Sequence, residues 1–202
     1  IHKGGPIIIL QISFVIILIT YIIERAIVLY LASGGGNNKA FARKVGGMIA
    51  LNKMDEAISV AEKQKGAVAN VIYKGVGVYQ RSINEKNLSQ EEKAYLMKNE
   101  LEEASHLEVP VLERNMIIIS TLASIATLIG LLGTVTGMIR AFSALARSGA
   151  PDAVGLAGGI SQALVTTALG ISTAAIAIVF YNFYTNVIDK ITYAIDELNY
   201  QL

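Results

Sequence analysis

The chain has no cysteine and no tryptophan, and it has few histidines and prolines. Without cysteine there is no disulfide scaffold, thiolate metal site, iron–sulfur cluster or cysteine nucleophile. His2 and His106 are the sole imidazoles, so a multi-histidine metal centre within one chain is not expected. No metal and no cofactor is predicted. Charge is also scarce: Asp, Glu, Lys and Arg make up 16% of the 202 residues, where a soluble domain carries about 25%. Seventeen basic and sixteen acidic residues leave a net charge of +1, which gives no electrostatic case for nucleic acid. No nucleophile–base–acid set, Walker loop or dinucleotide fingerprint occurs, and Gly75-Val76-Gly77 is too short to cradle phosphate. The expectation is a protein that is not an enzyme.

What the chain does have is apolar: 53% of residues are hydrophobic and the mean hydropathy is +0.50. Residues 7–23, 115–139 and 153–188 carry no charge at all, in runs of 17, 25 and 36. A hydrocarbon core about 30 Å thick needs about 20 mostly apolar residues as a helix. The second and third runs exceed that length, and the first meets it if Glu24 and Arg25 lie at the interface. As buried helices of a soluble protein, three such runs would need a polar shell that this chain lacks. The first run reads as a retained anchor, because Tyr21-Ile22-Ile23-Glu24-Arg25 has no small-residue cleavage pattern. The third run is longer than one crossing needs, at about 54 Å for a helix rising 1.5 Å per residue. It is expected to continue toward Leu202, with Ile188, Ile191, Ile195 and Leu198 at helical spacing.

The predicted fold is an all-α membrane protein: three transmembrane helices, long cytoplasmic extensions and a cytoplasmic helical domain. The expected parts are a first transmembrane helix at 1–33, a cytoplasmic helical domain at 34–114 and a second transmembrane helix at 115–146. A periplasmic turn at 147–152, a third transmembrane helix at 153–188 and a cytoplasmic helical tail at 189–202 follow. Twelve of the 17 Lys and Arg residues fall within residues 33–115. Positive charge marks the cytoplasmic side, so the N-terminus is expected to be periplasmic and the C-terminus cytoplasmic. Gly34-Gly35-Gly36 should break the chain. Short helices are expected at about 39–50, 53–64, 67–84 and 89–112, the last started by Ser89 with Glu92 three residues on. Pro110 is expected to kink the approach to the second span, and Tyr73, Tyr79 and Tyr95 to pack between helices.

Two faces stand out on the second span. Gly130, Gly133 and Gly137 share one, and Ser120, Ser124, Thr127 and Thr134 form a hydroxyl line on another. On the third span Ala163, Thr167, Gly170 and Ala174 share a face, with Gln162, Thr166 and Thr173 beside it. Small residues let membrane helices approach closely, so Gly130, Gly133, Gly137 and Gly170 are expected to serve packing. Each of the two spans carries six Ser or Thr residues, a polar supply that suggests a wet interior. Neither holds a carboxylate. If protons move here, the titrating acid comes from another chain. A passive pore or transporter component, and a scaffold that binds other proteins through its charged helices, remain as alternatives.

One longer pattern is specific. Leu112-Glu113-Arg114-Asn115 leads into Thr121-Leu122-Ala123-Ser124 and Gly130-Leu131-Leu132-Gly133-Thr134-Val135-Thr136-Gly137-Met138. Gly159-Ile160-Ser161-Gln162-Ala163-Leu164 follows, with Thr167-Ala168-Leu169-Gly170. This resembles the MotA/TolQ/ExbB proton channel family, most like ExbB with TolQ a close second. The resemblance covers about residues 110–185 in motif and the whole chain in span order, and it disfavours the four-span MotA. It implies a proton-driven motor subunit in the inner membrane of a Gram-negative bacterium, a homopentamer around two copies of a single-span ExbD- or TolR-like partner. The partner's transmembrane Asp carries the proton, and work passes to a TonB- or TolA-like transducer. By motif, Thr134 and Thr167 are expected to face the pore, with Gln162, Thr166 and Thr127 as further proton-pathway or pore-lining candidates. Gln162 stands where many relatives have Glu, and Thr127 where they have Pro.

Overall fold

The computed structural model describes residues 5–51, 53–83, 85, 88–146 and 152–201. Seven α-helices follow in order: α1 (Gly5–Ser33), α2 (Asn38–Ala50), α3 (Met54–Gln64), α4 (Ala67–Ile83), α5 (Gln90–Glu113), α6 (Met116–Leu145) and α7 (Ala153–Gln201). No strand occurs among the described residues. Helical stretches within Pro6–Ala50, Gln90–Leu145 and Ala153–Tyr200 are long and apolar enough to cross a membrane. This is an all-α membrane protein with three such helices. Of its expected connections, 147–151 lies outside the described residues, as do His2, Lys3 and Arg147.

The chain divides into two compact units. The first comprises Ile1–Glu24 and Asn115–Phe183. In its part of α1, Ile8, Gln11 and Leu18 are buried while Ile9, Ile16 and Ile23 point outward. Only 17% of the apolar window of that helix is buried within the chain, so most of its apolar surface is left for its surroundings. The α6 and α7 segments of this unit run antiparallel at backbone contact. A Cβ on Gly170 would sit 2.6 Å from the Ala126 carbonyl oxygen, and one on Gly137 2.7 Å from the Gly159 carbonyl oxygen. Gly130 faces Gly170, and Gly133 meets the Thr166 side chain. Hydrophobicity cannot draw helices together in lipid, so this close approach with its dispersion contacts is what holds the pair. Asp152 starts α7, its Oδ1 accepting from Gly155 N at 2.8 Å.

The second unit comprises Arg25–Arg114 and Tyr184–Leu202. The α4 stripe of Val68, Val71, Ile72, Val76 and Tyr79 is buried, as are Met97, Leu101 and Ala104 on α5. Leu101 fills the space that Gly75 leaves open. The expected apolar line of the tail, Ile188, Ile191, Ile195 and Leu198, is buried too. Two loops cross here at glycines with left-handed backbone, Gly34 at φ +64° and Gly66 at +89°. A Cβ on Gly66 would lie 2.5 Å from the Ala32 carbonyl oxygen, so the crossing requires glycine. Ser89 and Glu92 form a reciprocal capping box at the start of α5: Ser89 N donates to Glu92 Oε2 at 2.7 Å, and Glu92 N to Ser89 Oγ at 3.2 Å. Buried Arg25 donates from Nη1 to the Leu112 carbonyl oxygen at 3.3 Å, placing a cation at the negative end of α5.

Pro110 lies inside α5, and the helix ends at Arg114–Asn115, where Asn115 takes a left-handed φ of 64°. One expectation needs correction. Tyr73 and Tyr95 do not pack between helices; they are 52% and 65% exposed, off the buried stripes of α4 and α5. Tyr79 alone of the three is buried, its hydroxyl donating to Gln90 Oε1 at 3.4 Å.

Candidate functional site

The glycine contacts bring two threonines together. Thr134 of α6 and Thr167 of α7 are half-buried, with their hydroxyls hydrogen-bonded to each other. Both also reach the Gly130 carbonyl oxygen, Thr134 at 3.4 Å and Thr167 at 3.3 Å, and Thr167 reaches that of Ala163 at 3.0 Å. Gly130 makes this possible, because a side chain there would hold α7 away. Each hydroxyl carries one proton and two lone pairs. With both protons turned to backbone and to each other, the pair offers only lone pairs to a third group. With one turned outward, it offers a donor. The same two residues can therefore accept from a neutral carboxylic acid or donate to its anion.

The other candidates divide into two positions. Thr127 lies seven residues before Thr134 on the same stripe, half-buried, with Oγ1 donating to the Ala123 carbonyl oxygen at 3.3 Å. Thr166 and Gln162 sit on the inner side of α7. Thr166 is fully buried against Gly133, its hydroxyl donating to the Gln162 and Ala163 carbonyls, both at 3.0 Å. Its carbonyl accepts from Gln11 Nε2 of α1 at 2.7 Å. Gln162 is buried, and its Oε1 accepts from Arg140 Nη1 at 2.7 Å. Arginine can only donate, which fixes the oxygen of that amide toward it.

Gln11 and Arg140 are the residues that sequence reasoning missed. Gln11 is the one amide in the charge-free run 7–23, and Arg140 is the first charge after 115–139; both signals were present. Their partners lie 155 and 22 residues away in sequence, distances that no local pattern reports. No group of three or more His, Cys, Asp or Glu side chains able to hold a metal occurs among the described residues.

Fold and site together define a multi-span helical membrane protein whose polar groups converge where two spanning helices touch. Residues 63–197 match the sequence profile of the MotA/TolQ/ExbB proton channel family. The chain belongs to that family, which is a family of channel and transport subunits and not a class of enzymes. It is 40% identical over 86 residues to the putative biopolymer transport protein ExbB-like 3 of Synechocystis sp., a match covering 42% of this chain and 41% of that one. It is 42% identical over 81 residues to the Tol-Pal system protein TolQ of Haemophilus influenzae, covering 39% and 35%. A putative ExbB homolog of Methanothermobacter thermautotrophicus is 32% identical over 131 residues, covering 62% and 46%. The chain thus spans less than half the length of each of these relatives.

Proposed function

We propose that this chain is an inner-membrane proton-channel and stator subunit of ExbB type, which works with a single-span, ExbD-like partner to turn proton motive force into mechanical work. In this reading several copies, a pentamer by family resemblance, surround the partner's span. The work is delivered to a TonB-like transducer for import across an outer membrane. The N-terminus is periplasmic, while the charged helices at 34–114 and the tail at 189–202 are cytoplasmic. A TolQ-type role in the Tol-Pal envelope system is the second reading, favoured by the likeness to the Haemophilus influenzae protein.

The observation that carries the reading is the Thr134–Thr167 hydroxyl pair on a half-exposed face of two spans that contain no acid. An ionised carboxylate in a low-dielectric lumen is strongly disfavoured unless hydrogen-bonded. A partner's Asp would be held by the pair as an anion, through an outward proton. When protonated it would be neutral, and the pair would turn its proton inward and accept instead. Binding weakens on protonation, and the neutral side chain can move on past apolar wall to the next subunit. A proton crossing 100 mV contributes about 2.3 kcal/mol, enough to give such steps a direction. Thr127 extends the lining, while Gln162 and Thr166 back it from the inner side of α7.

Thr134→Val and Thr167→Val, each nearly isosteric, test this in the complex co-purified with its partner. Either change should lower proton-driven activity by at least tenfold at unchanged protein level and assembly, and Thr→Ser should restore most of it. Full activity in both valine variants would remove the proposal's foundation.

A further inference from the structure

The α6 hydroxyls continue away from the threonine pair. Thr134, Thr127, Ser124 and Ser120 share one helical face, spaced by seven, three and four residues. The stripe runs about 21 Å at 1.5 Å per residue. At its far end Ser120, Ala123, Ser124 and Thr127 face Ile178 and Tyr181 of α7 across a cleft of about 320 Å³. Each α6 hydroxyl there commits its proton to its own helix: Ser120 to the Ile117 carbonyl at 3.0 Å, Ser124 to that of Ser120 at 3.4 Å, Thr127 to that of Ala123 at 3.3 Å. What these three turn outward is lone pairs. Tyr181 is half-buried, and its hydroxyl has no hydrogen-bond partner among the described residues, so it is free both to donate and to accept. Facing hydrocarbon, an unpaired hydroxyl costs several kcal/mol; facing water, it costs nothing.

We propose that this cleft is a hydrated outlet on the cytoplasmic side that admits water and protonated water and disfavours anions, with Tyr181 as its positioning residue and the Thr134–Thr167 pair beyond its inner end. The α6 wall of the cleft has no free proton to donate to an anion and several acceptors for a hydronium ion. Tyr181 completes the hydrogen bonds of the bound water from the α7 side. The inference rests on the reading of the threonine pair as the point where a partner's acid is met, and it adds the route by which water reaches that point.

The absence of cysteine makes the test clean. Ser124→Cys and Tyr181→Cys are introduced singly into the full chain in its native membranes, with Ile125→Cys as the dry control; Ile125 is 36% exposed and lies about 100° round α6 from Ser124. Each is exposed to a cationic and to an anionic water-soluble methanethiosulfonate reagent, with rates divided by those for a free thiol in solution. Positions 124 and 181 should react with the cationic reagent at least tenfold faster than position 125, and at least fivefold faster than with the anionic one. Reaction no faster than at position 125 would overturn the outlet and leave Tyr181 as an interfacial anchor. Equal normalised rates for the two reagents would overturn its preference for cations. If Thr167→Val abolishes proton-driven activity while positions 124 and 181 stay unreactive, only this inference fails. If they react as expected and Thr167→Val is fully active, the proposed function fails and the hydrated cleft stands.

Discussion

At the scale of single residues, the charge-free runs of α6 and α7 hold hydroxyls and amides and no acid. Thr134 and Thr167 can serve either protonation state of a visiting carboxyl because a hydroxyl is both donor and acceptor, which a backbone N–H or an arginine is not. Their convergence was half legible: the motif named both residues, but the shared Gly130 carbonyl emerges only once the helices are docked. Gln162 shows the limit of reading one chain. Its partner Arg140 lies on another helix, so the pairing was invisible in sequence. Outside the spans, Glu92 gives a pH prediction. Its hydrogen bond from the Ser89 backbone, and then the one with the Ser89 side chain, hold its carboxyl below the ordinary glutamate value. A depressed carboxylate stabilises the fold at pH above its unfolded value, and that contribution is lost as pH falls through the folded one. Amide protection in the first turn of α5 should therefore decline in acid below the ordinary glutamate range. Glu92→Gln should flatten that decline in hydrogen exchange.

At the scale of elements, helix identity was legible because charge and apolar spacing agree with capping. The four short helices begin and end within one or two residues of where their sequence patterns place them, and α7 is a single helix of 49 residues. The α5–α6 junction falls where the start of the charge-free run places it, at 114–115, but the left-handed backbone of Asn115 that makes it was not announced in sequence. The α6–α7 contact yields the sharpest packing prediction. A Cβ on Gly170 meets backbone, the Ala126 carbonyl and the Gly130 Cα at 2.8 Å, and backbone cannot rotate away. Gly170→Ala should cost about 1–3 kcal/mol by overpacking. It should lower the melting temperature of the detergent-solubilised protein and separate Thr134 from Thr167. Gly158, with nothing within 4 Å of its added Cβ, should tolerate the same change. Equal effects at the two positions would show that close approach is not what the glycines serve.

At the scale of the whole molecule, the apolar surface left over is the informative quantity. Ile117, Leu128, Val135, Ile139 and Phe142 on α6, and Leu164, Val179 and Phe183 on α7, remain exposed within one chain. So much exposed apolar surface suits a helix pair in lipid, and the proposed ring would cover part of it. Family membership was readable from the glycine–threonine motif and the order of the spans. The choice between ExbB-like and TolQ-like roles was not readable, since the chain is about as similar to a relative of one name as to one of the other. The most direct measurement of the central claim places a cysteine at Thr167 in this cysteine-free chain and a second in place of the partner's transmembrane acid, then oxidises the co-purified complex. The expected result is an inter-chain disulfide between these two positions, weakened when the cysteine is moved to Val165, 45% exposed on the opposite face of α7. No cross-link at position 167, or an equal one at 165, would contradict the pore-facing threonine.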